Sequence, residues 1–179
     1  MYDGSDYYGA VISSPVLQQS VLASIQELAS SISNTNGDWY GNSISTPALA
    51  QLEYLLNYAK QHTIKVIGFL PPIAPSEYVR IQSYPAASYA RTISTLGPTL
   101  SHEFTTYGFD FYDFSNIAKI GGSDTEMMDS KHGGEKMYLQ MFIEIAKTSK
   151  SLQPFVDLPH IEQKLSEATS SYVVFGLTQ

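Results

Sequence analysis

The clearest indication of the fold class is the apolar run Ile64-Lys65-Val66-Ile67-Gly68-Phe69-Leu70. It is short, rich in β-branched and aromatic residues and followed by two prolines, which predicts a strand buried on both faces. Before it, leucines recur at helical spacing from Ser45 to about His62 behind a Ser-Thr-Pro start, which predicts a helix. A helix that leads directly into a buried strand indicates an α/β crossover.

A second strand is predicted at residues 109–114, where aromatic and acidic residues alternate. It follows the first strand after one helical segment, so we expect the two strands to be parallel. That helical segment covers residues 86–106. Gly97 and Pro98 predict that it is kinked or split, with a break near Leu96. The preceding residues 74–84 indicate a loop with at most one helical turn.

Further elements are predicted on both sides of these strands. Apolar residues recur at helical spacing over residues 16–34, 135–147 and 158–168. Additional strands are expected at residues 7–12 and, at a sheet edge, at 172–175. Together these features predict a single three-layer α/β domain over residues 1–179, or part of one, with a small and mainly parallel sheet.

Composition excludes several classes of function. The 179 residues are 43% hydrophobic and carry ten basic and seventeen acidic side chains, a net charge of −7 without any Lys/Arg run. Nucleic acid is therefore disfavoured as a partner, because phosphate binding depends on clustered cations. Since the chain has no cysteine, it forms no disulfide and no Cys-ligated metal site. We predict no cofactor, and the oligomeric state and compartment stay open.

Neither a membrane span nor a leader is predicted. The longest apolar stretch, residues 66–74, is far shorter than the roughly 20 residues that cross a bilayer. The first nine residues have neither the basic start nor the apolar run of a secretory signal. We therefore expect no membrane segment in this chain.

Most of the polar chemistry lies in residues 115–134, after the second predicted strand. Here Asp129 precedes His132 by three residues. In such a turn the carboxylate can accept the Nδ1 proton of the imidazole, which leaves Nε2 to take a proton from a nucleophile. The glycines at 133 and 134 permit close approach of a ligand. A structural role for the pair remains open beside this catalytic one.

Other polar patterns have simpler explanations. The same spacing in Asp157 and His160 predicts a helix cap, because Pro159 stands in the first turn. Residues 123–126 predict a capping box, with an anion-binding nest as the alternative. A metal site built from Asp124, Glu126, Asp129 and His132 also stays open, although this spacing matches no known ligand set.

Three segments carry a family resemblance: residues 112–116, 121–124 and 128–135. Together they resemble the carboxyl-terminal block of SGNH/GDSL-type hydrolases. More narrowly, they are similar to the bacterial relatives that acylate cell-envelope polymers, such as the D-alanine transfer and alginate acetylation families. The strand that ends at residues 69–72 is similar to the penultimate strand of those proteins. The resemblance covers residues 46–149, and the Asp-x-x-His piece is its most telling motif.

The resemblance implies a flavodoxin-like sheet and a serine-type acyl transfer. His132 would be the general base and Asp129 its orienting partner. The serine would attack a small or carbohydrate ester, and its acyl group would pass to water or to a sugar hydroxyl. We therefore expect an esterase or an O-acyltransferase that needs no metal.

The chain departs from this family in lacking an evident nucleophile. The family's serine follows the first strand in a Gly-Asp-Ser turn, but no apolar strand precedes Ser5 here. No oxyanion hole is assigned either. Asn42 is the only asparagine near a glycine in roughly the right place, and this alone does not identify the site. We therefore expect the carboxyl-terminal part of a longer protein. A non-catalytic binding or assembly module of the same fold, and a metal-dependent hydrolase built on residues 123–132, are the alternatives.

Overall fold

The computed structural model describes residues 14–31, 43–85 and 88–175. Within these ranges the fold is mixed α/β and mostly helical, with a small parallel sheet. The helices are α1 (Pro15–Ser31), α2 (Thr46–Gln61), α3 (Pro75–Gln82), α4 (Ser88–Tyr107), α5 (Glu135–Thr148) and α6 (Leu158–Glu167). The strands are β1 (Ile67–Leu70) and β2 (Asp110–Asp113). The strand predicted at residues 7–12 lies outside the described residues.

Strands β1 and β2 pair in parallel, as predicted. Ile67 lies opposite Asp110, and Leu70 lies opposite Asp113. The connection between the strands contains α3 and α4. An isolated parallel bridge between Ile73 and Asn116 continues the pairing past the carboxyl ends of both strands. The carboxyl edge of the sheet therefore leads directly into residues 115–134.

Strand β1 is shorter and more exposed than predicted. The N–H of Ile64 donates to the carbonyl of Ala59 at 2.9 Å, so this residue still belongs to the turn after α2. Ile64 is 49% exposed and Phe69 is 47% exposed, so the prediction of a strand buried on both faces is wrong at Phe69. The physical reason lies in the sheet that the described residues form, because its two short strands offer helices little surface to cover.

The break predicted near Leu96 is absent, and α4 runs continuously from Ser88 to Tyr107 with Pro98 inside it. The proline removes one backbone hydrogen bond, at a cost of ~3 kcal/mol in a helix interior. Packing of α4 against β2, α2 and α3 outweighs this cost. Gly97 serves that packing, because a Cβ on it would collide with Oδ2 of Asp113 at the end of β2.

Two further predictions are wrong for tertiary reasons. Residues 74–84 form the two-turn helix α3 rather than a loop, because α3 packs against α1 and buries Ile81. Residues 172–175 are not a strand. Instead, the backbone N–H groups of Val174 and Phe175 donate to the carboxylate of Glu135, so a side chain takes the place of a neighbouring strand.

One buried apolar cluster connects α1, the end of β2, the following loop and α5. Its members are Ile25, Ala74, Phe114, Ile117, Met127, Met137, Met141 and Ile145. Ile117 and Met127 of the segment 115–134 belong to it, so this segment is anchored to the core at two positions. Burial of these side chains supplies the hydrophobic stabilisation that holds a polar turn in place at the protein surface.

Candidate functional site

The segment between β2 and α5 ends in a tight turn, residues 127–133, on the protein surface. Its core anchor Met127 forms an antiparallel bridge with Gly133. The N–H of Met128 donates to the carbonyl of His132 at 2.6 Å, and the N–H of Gly134 donates to that of Glu126 at 2.7 Å. These bonds close a small loop whose outer part is residues 129–132.

Two carboxylates that precede the turn hold the loop together. Glu126 is buried, and its Oε2 accepts the N–H of Ser123 at 3.0 Å. This confirms the predicted capping box. The other oxygen of Glu126 lies 3.1 Å from Nζ of Lys136. Asp124 accepts the N–H of Ser76 at 3.1 Å, which ties the loop to α3.

Asp129 and His132 are in direct contact. Nδ1 of His132 lies 2.7 Å from Oδ2 of Asp129. The second oxygen, Oδ1, accepts the backbone N–H groups of Lys131 and His132, each at 2.8 Å. The side chains of His132 and Asp129 are 58% and 44% exposed. The turn thus presents an imidazole–carboxylate pair to solvent.

The carboxylate of this pair is electrostatically stabilised. Partial burial raises the pKa of Asp129, but the N–H of Lys131 and the imidazole and N–H of His132 lower it by more. The net pKa is below the ordinary value for aspartate, so the group is ionised at neutral pH. An ionised carboxylate beside Nδ1 favours the imidazole tautomer that carries its proton on that nitrogen.

The second Asp-x-x-His pattern has the structural role that was predicted for it. Oδ1 of Asp157 accepts the backbone N–H of His160 at 3.2 Å and caps α6. Here the Asp-x-x-His spacing places the carboxylate at the start of a helix, with Pro159 in the first turn. The two patterns differ in context, because residues 129–132 form a closed turn two residues before α5 begins.

Tyr138 also belongs to the site, although it was not among the site residues predicted from the sequence. Its ring packs over Gly133. Burial and the negative charge of Asp129 raise the pKa of Tyr138 above that of a free phenol, although a hydrogen bond with the backbone of Gly133 opposes this. Side chains near a helix start point back toward its N-terminus, so the predicted start of α5 at Glu135 could have indicated Tyr138.

A pocket of about 340 Å³ opens between α1 and the turn. Helix α1 contributes Leu17, Val21 and Ile25 to its lining, and the turn contributes Met128 and Asp129. The pocket therefore shares Asp129 with the imidazole–carboxylate pair. Sequence reasoning did not predict this pocket, because its two walls are about a hundred residues apart in the chain.

The other candidate residues do not converge on this pair. Among the residues that the structure describes, no group of three or more His, Asp or Glu side chains is arranged to hold a metal ion. Ser5 and Asn42 lie outside the described ranges. Within the same ranges, no helix combines the length and hydropathy needed to span a bilayer. No family model, curated protein or solved structure matches this chain.

Proposed function

We propose that this chain supplies the base of an SGNH-like esterase or O-acyltransferase, within a flavodoxin-like three-layer domain. The observation that carries the proposal is the 2.7 Å contact between Nδ1 of His132 and Oδ2 of Asp129. It lies beyond the carboxyl end of a parallel strand, the edge at which open α/β sheets bind their ligands. The substrate would be a small or carbohydrate ester.

The proposed chemistry follows from the orientation of the ring. With the Nδ1 proton held by Asp129, the basic nitrogen of a neutral His132 is Nε2. A serine hydroxyl would give its proton to Nε2 as its oxygen attacks the ester carbonyl, and the imidazolium would return that proton to the departing alcohol. Water or a sugar hydroxyl would then release the acyl group from the serine with the same base. The serine itself is not among the residues that we assign.

A purely structural role explains only half of this arrangement. The two backbone N–H groups bound by Oδ1 of Asp129 are sufficient to shape the turn. The contact between Oδ2 and the imidazole is solvent-exposed, and exposed ion pairs contribute only ~0–1 kcal/mol to stability. Stability therefore gives little reason for a histidine at position 132, whereas base catalysis gives a direct one.

The test is hydrolysis of p-nitrophenyl acetate by wild-type, His132→Ala and His160→Ala proteins. Position 160 is the matched control, since it has the same Asp-x-x-His spacing in a capping role. We expect His132→Ala to lose activity by roughly 10³-fold or more, while His160→Ala keeps it. Thermal unfolding of all three proteins checks that the fold is intact.

The outcomes separate the alternatives. Equal activity in the two variants contradicts the assignment of His132. If the chain is inert alone and remains inert with any coding sequence upstream of Met1 restored, the binding or assembly module is favoured instead. A hydrolysis rate that falls with a chelator and recovers with zinc or manganese supports the metal-dependent alternative.

A further inference from the structure

The pocket between α1 and the turn has a distinct chemical character. Apolar side chains line it on both sides: Leu17 and Val21 from α1 and Met128 from the turn. Ile25 is fully buried at its inner end, whereas Leu17 is partly exposed and marks the rim. The volume of about 340 Å³ is near the lower end of the roughly 300–1,000 Å³ typical of small-molecule sites. A short aliphatic group fits this size and lining.

Polar groups restrict what else the pocket accepts. The hydroxyl of Ser24 donates to the carbonyl of Ser20 at 2.9 Å within α1, so this serine does not require a partner from a ligand. Asp129, whose pKa is lowered, contributes an ionised carboxylate to the wall. A negatively charged ligand would be repelled by that carboxylate across a partly desolvated space.

We infer that this pocket binds the short aliphatic acyl group of a neutral ester and rejects the corresponding carboxylate. The inference rests on the proposed function and deepens it by naming the substrate class. A ligand that fills the pocket lies against the same carboxylate that binds the imidazole of His132. Hydrolysis of an ester converts a neutral acyl group into an anion, so repulsion by Asp129 would favour release of the product.

Binding measurements test the pocket without relying on catalysis. Hexanamide serves as the neutral probe and hexanoate as the anionic one, both titrated at pH 8 by calorimetry. We expect hexanamide to bind wild-type protein roughly tenfold more tightly than hexanoate. In Asp129→Asn, which removes the charge, this difference is expected to disappear.

A filled pocket provides the matched comparison. Ser20 lines the pocket and is exposed, and Gln19 is its exposed neighbour on α1 outside the pocket lining. Ser20→Leu is expected to weaken hexanamide binding about tenfold, while Gln19→Leu leaves it unchanged. Equal effects of the two changes, equal affinity of wild-type protein for both probes, or no binding of hexanamide would overturn the inference.

The same variants distinguish a failure of the pocket from a failure of the proposed function. If p-nitrophenyl acetate is not hydrolysed, even with any coding sequence upstream of Met1 restored, but the binding pattern holds, the pocket stands as a site for neutral aliphatic ligands and the esterase proposal fails. If esters are hydrolysed but Ser20→Leu does not shift the preference from hexanoyl toward acetyl esters, the pocket is not the acyl site.

Discussion

His132 is bound twice by Asp129. Its backbone N–H donates to Oδ1 at 2.8 Å, and its Nδ1 lies 2.7 Å from Oδ2. One carboxylate therefore shapes the turn with one oxygen and orients the ring with the other. Because the two tasks fall on different atoms, substitutions can separate them.

Asp129→Asn is expected to leave stability nearly unchanged and to abolish most ester hydrolysis. The amide oxygen still accepts the N–H groups of Lys131 and His132, so the free energy of unfolding should change by less than about 1 kcal/mol. The amide NH₂ then faces Nδ1 and favours the wrong tautomer, for a loss of ~10³–10⁴-fold in rate. Asp129→Ala also leaves the two N–H groups without their acceptor and should cost about 1–3 kcal/mol. Urea unfolding and hydrolysis rates measure both effects, and full activity in Asp129→Asn would contradict the assigned role.

The stabilisation by Asp129 should depend on pH in a definite direction. Its folded-state pKa is lowered, so the stabilising contribution is fully present above the unfolded-state pKa of about 3.9 and is lost as pH falls through the folded-state value. The carboxyl is partly exposed, so the contribution is small. The difference in unfolding free energy between wild type and Asp129→Asn should be constant at neutral pH and shrink below about pH 4. A difference that grows on acidification would show that folding does not lower the pKa of Asp129.

Tyr138 should report the charge of Asp129. Burial and this carboxylate raise the pKa of the phenol, so the phenol is protonated at neutral pH. The stabilising contribution of the phenol is present below the unfolded-state pKa of about 10 and is lost as pH rises through the folded-state value. In Asp129→Asn the titration midpoint of Tyr138, followed by ¹³C NMR of labelled tyrosine and assigned with Tyr138→Phe, should move down. An unchanged midpoint would show that the charge of Asp129 does not affect the pKa of Tyr138.

Gly97→Ala should destabilise the protein although alanine is the better helix former. The new Cβ would collide with Oδ2 of Asp113, whose Oδ1 is held by the N–H and hydroxyl of Ser115 at 2.9 and 2.6 Å. We expect a loss of about 1–2 kcal/mol in the wild-type background. In an Asp113→Ala background the same change should gain up to ~1 kcal/mol from helix propensity. A double-mutant cycle by chemical unfolding measures this coupling, and additive effects would refute the collision.

Glu135→Ala should weaken the attachment of residues 174–175 to α5. The Glu135 carboxylate accepts the N–H groups of Val174 and Phe175, the latter at 3.2 Å. Without it, amide hydrogen exchange at these two residues should accelerate about tenfold or more. Glu144→Ala is the control, since Glu144 lies on the same helix and pairs with Lys147 instead. Equal exchange rates in both variants would mean that other contacts hold the segment.

Local signals in the sequence were sufficient for several elements and for the central contact. Ser45 and Asp157 cap α2 and α6 as expected, because an N-cap depends only on the next three residues. Asp129 and His132 meet for the same reason, since three residues of a tight turn bring their side chains together. The catalytic role of this pair, and the SGNH-like resemblance, remain predictions.

Local sequence signals could not predict features that join distant parts of the chain. Pro98 predicted a helix break, yet α4 continues because it packs on β2. Residues 172–175 have the composition of a strand, but the Glu135 carboxylate accepts the N–H groups of Val174 and Phe175. In each case a contact between remote segments outweighs a local preference of a few kcal/mol.

Sequence order alone was enough for the described helices other than α3 and the continuity of α4, for the parallel pairing of two strands and for the Asp129–His132 turn after the second of them. These follow from spacing and from the short reach of caps and turns. That α1 faces this turn across a pocket, and that Glu135 binds the N–H groups of Val174 and Phe175, is visible only in three dimensions. Such juxtapositions depend on how a shared apolar core is packed, and that packing has no signature within any single stretch of sequence.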